Sequence, residues 1–189
     1  NMPKTTHKKS VALQNQLQKC PTGIKGFDEI TGGGLPKNRT TLIAGNTGCG
    51  KTLLALDFLI KGATDYKEPG VFMSFEETED ELYKDVASIN LGLKELVAKK
   101  KIFIDYVLLE RKDIQSAGEF NLEGLFVRLE HAIDSIGAKR VVLDSVESLF
   151  AGVTDSGILR LEIKRLFRWF KNKGVTAIVT GELALTGSL

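Results

Sequence analysis

Hydrophobic positions along the chain cluster in short unbroken runs, separated by stretches with helical spacing. Residues 40–44, 71–75, 102–107, 141–144 and 175–180 are runs of strand length. None alternates strictly between apolar and polar side chains. Such runs predict strands buried on both faces, as in a parallel sheet covered by helices. Helical patterns fill the gaps. One runs from Lys51 to about Gly62, and a second opens at Thr78, which with Glu81 forms an S/T-x-x-E capping box. Asn121 can cap a third, whose apolar positions from Leu122 to Ile136 repeat with helical period until Gly137 stops it. A fourth spans about 157–173 and ends at Gly174. The order predicts an α/β fold, a mostly parallel sheet with helices on both faces.

Residues 1–20 are polar and rich in Lys and Gln, so they are expected to form a flexible arm ahead of one domain over 21–189. The tetrapeptide Cys20-Pro21-Thr22-Gly23 reads as the turn that opens this domain. Composition narrows the function class. With 26 basic and 24 acidic residues, the net charge of +2 gives no global attraction to nucleic acid or an anionic membrane. No apolar stretch is long enough for a transmembrane helix. The polar start has no apolar core of a secretion signal, and the two cysteines, Cys20 and Cys49, lack a disulfide or metal-ligand pattern. A cytoplasmic protein is the expectation.

The sharpest chemical signal is Gly45-Asn46-Thr47-Gly48-Cys49-Gly50-Lys51-Thr52, which fits G-x-x-x-x-G-K-[ST] at every specified position. It lies between a predicted strand and a predicted helix, as phosphate binding requires. Glycines without Cβ atoms let consecutive N–H groups turn inward as an anion nest, and the helix N-terminus adds further donors. Lys51 can reach the β and γ oxygens of a nucleotide, and the Thr52 hydroxyl can ligate Mg²⁺.

Hydrolysis needs a second hold on the metal and a positioned water. Asp144, ending an apolar strand, suits the first task in the Walker B manner. Glu76 and Glu77 follow another strand, and in open α/β sheets ligands bind at that edge. Either carboxylate could orient or deprotonate the attacking water, and spacing alone does not rank them.

Taken together, Thr22-Gly23-Ile24-Lys25-Gly26-Phe27-Asp28, Gly33-Gly34-Leu35-Pro36, the phosphate loop and the segment from Glu68 to Thr78 resemble the KaiC family of RecA-like ATPases. Val142-Leu143-Asp144-Ser145 and Thr180-Gly181-Glu182 extend the likeness over roughly 21–182. The resemblance implies a RecA-like core that assembles as a homohexameric ring with Mg·ATP between subunits. It implies Glu76 and Glu77 as the catalytic pair, with Gly48, Cys49, Gly50, Lys51, Thr52 and Leu53 contacting the nucleotide and Ser88 near the base or ribose. It also implies a KaiB-like regulatory partner for an N-terminal-type copy, and autokinase activity in a second copy. No serine–threonine pair matching autophosphorylation sites is visible here. The K-x-R-type motif serving a neighbour's ATP is expected beyond Leu189, since 181–189 does not read as a domain end.

Other features have plainer readings. The basic residues of the 157–173 helix suit a solvated face, and Trp169 and Phe170 suit packing. His7 and His131 have no metal-ligand company, and Cys49 fills a free position of the loop template. Two rival functions remain open: a RecA-type DNA recombination ATPase, and a regulatory scaffold that binds ATP without hydrolysing it. The first would need DNA-binding loops between Asp144 and Glu182, where the stretch 151–156 is short and acidic.

Overall fold

A computed structural model of the chain describes residues 17–87, 92–108, 122–151, 153 and 155–182. Its centre is a five-stranded sheet built from β3 (Thr40–Ala44), β4 (Gly70–Ser74), β5 (Ile102–Tyr106), β6 (Arg140–Asp144) and β7 (Thr176–Gly181). The spatial order is β3-β7-β6-β4-β5, and every pairing is parallel. The α/β architecture expected from the apolar runs is the one found, and the strands begin within one residue of their predicted starts.

Period two places successive strand residues on opposite faces, and both faces are covered. On one side, Phe72, Val142 and Ile178 pack beneath α2 (Lys51–Asp65), α3 (Glu79–Ala87) and α4 (Leu93–Ala98). On the other, Val71, Met73, Val141, Leu143 and Val179 meet α5 (Glu123–Ile136), α6 (Val146–Phe150) and α7 (Ser156–Lys173). Trp169 stacks on Phe126 at 5.1 Å between ring centroids, which ties α7 to α5. Both tryptophan and Phe170 are therefore packing residues, as expected.

Local signals set the helix ends. Thr78 and Glu81 form the predicted capping box: the Thr78 N–H and hydroxyl donate to Glu81 Oε2 at 2.8 and 2.7 Å. Gly137 closes α5 in the left-handed region at φ 64°, where a side chain would be strained. Asp155 caps α7 by accepting from the N–H groups of Gly157 and Ile158. The N-cap position of α5 is Leu122, without a side-chain cap bond; Asn121, the expected cap, lies outside the described residues.

The opening segment is more ordered than a bare turn. β1 (Lys19–Cys20) pairs antiparallel with β2 (Leu35–Pro36), enclosing the short helix α1 (Phe27–Ile30). Asp28 organises this loop, accepting from the Thr22 N–H at 2.9 Å, the Thr22 hydroxyl at 2.7 Å and the Gly23 N–H at 2.9 Å. Burial opposes the Asp28 charge, and those bonds outweigh it, so its pKa lies below the usual carboxylate value.

Beneath the segment lies Arg140, whose side chain is fully buried. It donates to Glu68 at 2.7 Å, the Phe58 carbonyl at 3.0 Å and the Pro21 carbonyl at 2.8 Å. Its guanidinium also lies 4.6 Å from the centre of the Phe58 ring. A buried cation is tolerated because each side of its fork meets an acceptor or a ring face.

Candidate functional site

Parallel strands deliver four functional segments to one edge of the sheet. β3 runs into the phosphate loop, β4 into Glu76 and Glu77, β6 ends at Asp144, and β7 leads to Glu182. A cleft of about 260 Å³ opens among them, with Lys51, Thr52, Glu76, Glu77 and Asp144 all on its wall. Thr47, Gly48, Gly50 and Leu53 complete the loop side, and Asp85, Ser145 and Glu182 line the remainder. A larger hollow of about 580 Å³ beside Tyr83 and Lys94 shares no residue with this cleft.

Gly48 and Gly50 have φ of 76° and 90°, and a Cβ on either would point into open space. Their lack of side chains is thus required by backbone conformation, and it leaves the loop amides uncovered. α2 starts at Lys51, directly after Gly50, so its unpaired N–H groups face the same region. The Lys51 ammonium folds back onto the loop, donating to the carbonyls of Gly45 and Asn46 at 2.9 and 3.0 Å. Cys49 is exposed, and its sulfur fills the space beside the Gly45 Cα: a Cβ there would stand 2.5 Å from it.

The Thr52 hydroxyl donates to Asp144 Oδ2 at 2.7 Å, across 92 residues of sequence. Thr180 donates to the other carboxylate oxygen of Asp144. Asp144 is nearly buried, so these hydroxyls set the direction in which its charge points.

The adjacent glutamates differ in their surroundings. Glu76 Oε1 accepts hydroxyl bonds from Ser145 and from Ser148, the latter at 2.7 Å. Glu77 is partly buried, and its Oε2 has no hydrogen-bond partner. Burial first, then the charges of Asp85, Asp144, Glu76 and Glu81, push its pKa up to about 7.

A hydroxyl and a carboxylate, both hard oxygen donors joined by one short bond, suit Mg²⁺ that keeps water and phosphate oxygens as its other ligands. Among the described residues, five carboxylates, those of Glu76, Glu77, Asp85, Asp144 and Glu182, line the cleft with one ammonium, that of Lys51. A polyphosphate entering such a cleft calls for a divalent cation to offset that charge. Among the described residues no cluster of three or more His, Cys, Asp or Glu side chains could hold a metal alone.

The structure brings together every site residue expected from the sequence except three. Gly45 and Cys49 sit in the loop without lining the cleft, and Ser88 lies outside the described residues. Sequence reasoning gave no role to Ser148, Asp85 or the Glu182 side chain. Ser148 and Glu182 meet partners 72 and 135 residues away, and Asp85 acts on Glu77 through charge, contacts that no motif spacing signals.

A parallel sheet with the phosphate loop at one strand end, and an aspartate bonded to its threonine, defines a RecA-like P-loop domain. The family model described as "ATPase: KaiC" matches residues 20–187. The chain belongs to the KaiC family. It is 56% identical over 166 residues to circadian clock protein KaiC2 of Synechocystis sp., covering 88% of this chain and 29% of the relative. Circadian clock oscillator protein KaiC of Prochlorococcus marinus is 42% identical over 167 residues, covering 88% and 34%. That of Thermostichus vulcanus is 38% identical over 182 residues, covering 96% and 35%. The chain therefore spans about a third of the length of these relatives. Among the described residues no helix is long and apolar enough to cross a membrane.

Proposed function

We propose that this domain binds Mg·ATP in the loop cleft and hydrolyses it, at the edge between neighbouring copies in a homohexameric ring. The observation that carries the reading is the Thr52–Asp144 bond, which sets the loop hydroxyl and the Walker B carboxylate oxygen 2.7 Å apart, close enough for one cation to take both as ligands. Thr52 and Asp144 would hold Mg²⁺, which when bound neutralises charge on the β- and γ-phosphates. Lys51 would exchange its two loop carbonyls for phosphate oxygens, while the amides of Gly48 to Thr52 cradle the same group.

The glutamate pair divides the work on water. Glu76, fixed by two serine hydroxyls, orients it; Glu77, with a pKa of about 7, is suited to take its proton near neutrality. Turnover of the intact protein should fall about 10²–10⁴-fold in Glu76→Gln and in Glu77→Gln, with Mg·ATP binding retained. Binding should be lost in Lys51→Ala. Full turnover in the double Gln variant would establish the pair as structural. Binding without any turnover by the unaltered protein would favour an ATP-held scaffold.

The likeness to circadian clock proteins extends the proposal to a KaiB-like regulatory partner and a cytoplasmic setting, with autokinase activity in the full-length protein. Against a DNA recombinase stand the near-neutral charge and the short acidic stretch after α6. An ATPase rate unchanged by added single-stranded DNA is the expected result.

A further inference from the structure

The tip of the phosphate loop is tied to the sheet by a side chain with no assigned part in binding. Thr47 Oγ1 donates to Glu182 Oε1 at 2.8 Å, across 135 residues of sequence. Glu182 is itself held from behind, since its backbone N–H donates to Glu147 Oε1 on α6. The other oxygen of Glu147 is buried and has no hydrogen-bond partner, and the Glu147 carboxylate lies so close to Gly181 that a Cβ there would stand 3.2 Å from it. The glycine before Glu182 thus leaves room for the Glu147 carboxylate, which a side chain there would crowd.

At its base the loop is tied by Thr52 to Asp144, and α2 by the Leu54 N–H to the Gly50 carbonyl; among the described residues the other ties are these. Gly45 N–H donates to the Gly181 carbonyl at 3.0 Å, and Cys49 N–H to the Asn46 carbonyl at 3.2 Å. Two more come from the Lys51 ammonium. Lys51 must leave those carbonyls to meet a phosphate, so the loop would lose two of its restraints when it binds. Gly48 and Gly50 give the tip little stiffness of its own.

We propose that Glu182 is a positioning residue for nucleotide binding: through Thr47 it holds the loop tip in its phosphate-ready shape and couples that tip, by Glu147, to the α6 segment. That segment also carries Ser148, one of the two serines that bond Glu76, and begins two residues after Asp144. One chain of contacts therefore joins the loop, the metal aspartate's strand and the water-orienting carboxylate. The proposal rests on the reading of the loop as an ATP site, and its test separates the two.

In the intact nucleotide-free protein, Glu182→Ala should raise amide hydrogen exchange across 45–50 several-fold, and Glu182→Gln, which keeps a carbonyl acceptor, should not. In the presence of Mg²⁺, Glu182→Ala and Thr47→Ala should each weaken ATP binding about 3–12-fold, the net worth of one exposed hydrogen bond. The double variant should be no weaker than either single one, since both remove the same bond. Glu182→Gln should bind within about twofold of the unaltered protein. KM should rise in the alanine variants more than kcat falls. Unchanged loop exchange in Glu182→Ala, additive losses in the double variant, or a Gln variant as weak as Ala would each overturn the proposal. An unaltered protein that binds no Mg·ATP would instead overturn the ATP reading, while loop exchange still decides the tie.

Discussion

Two neighbouring carboxylates, Glu76 and Glu77, are indistinguishable in sequence and receive different environments from the fold. One is bound by serine hydroxyls; the other has a buried oxygen with no donor. A carboxyl whose pKa is raised is protonated below that value, so the base form of Glu77 is lost as pH falls through about 7. The acid limb of the kcat/KM profile should therefore sit near 7 and disappear in Glu77→Gln, as steady-state rates between pH 5.5 and 8.5 would record. The stability effect has the opposite direction. Folding is penalised as pH rises from the ordinary carboxylate range through about 7, because the folded state must then carry the desolvated charge. Nucleotide-free Glu77→Gln should melt above the unaltered protein at pH 8 and level with it at pH 4.5, by calorimetry. At this scale Lys51, Thr52 and Asp144 were legible because phosphate and metal chemistry impose a spacing or a strand end. The Ser148–Glu76 and Thr47–Glu182 contacts were not, because sheet order creates them between segments 72 and 135 residues apart.

Among the elements, legibility followed length. The 14-, 15- and 18-residue helices α5, α2 and α7 repeat their apolar positions often enough to be read. α1, α4 and α6 have four to six residues, too few turns to establish a period, and tertiary contacts hold them. The strands β1 and β2 have two residues each and leave no pattern at all. The T-G-I-x-G-F-D sequence acquires a physical reason here: its last residue binds the first two. Asp28→Asn removes charge-assisted bonds and should cost about 1–3 kcal/mol, measured by urea unfolding at pH 7. Because the pKa of Asp28 is depressed, that difference is present above the ordinary carboxylate range and shrinks as pH falls through the lower, folded value. Gly62 on α2 is a second constrained position. A Cβ there would meet Arg140 Cδ at 2.5 Å, inside a packed interior. Gly62→Ala, helix-favouring on propensity alone, should instead destabilise by about 1–3 kcal/mol in the same assay.

For the whole molecule, the sequence specified the fold class but not the strand order. Uninterrupted apolar runs say that strands are buried on both faces without saying which are neighbours. The order β3-β7-β6-β4-β5 sets Asp144 beside the functional ends of β4 and β7. Among the described residues the cleft carries five carboxylates against one lysine, a charge imbalance that a neighbouring copy in the proposed ring would help offset. Mg·ATP should accordingly raise the solution mass of the intact protein toward a hexamer, and Lys51→Ala should abolish the increase. Light scattering with and without nucleotide tests this, and an unchanged monomer mass would count against the ring.

Arg140 also governs where this protein can be cut. Its guanidinium is satisfied partly by the carbonyl of Pro21, a residue outside the main sheet that a version shortened to the sheet would discard. A protein trimmed to begin at Lys37, just before β3, would keep the phosphate loop and every candidate catalytic side chain. It would also leave one arm of a buried cation without its acceptor, and strip cover from the α2 face where Cys20 and Leu35 now pack. Its nucleotide chemistry would be intact on paper and its folding compromised. A version starting at Leu17 should remain soluble and cooperative under conditions where the shorter one precipitates.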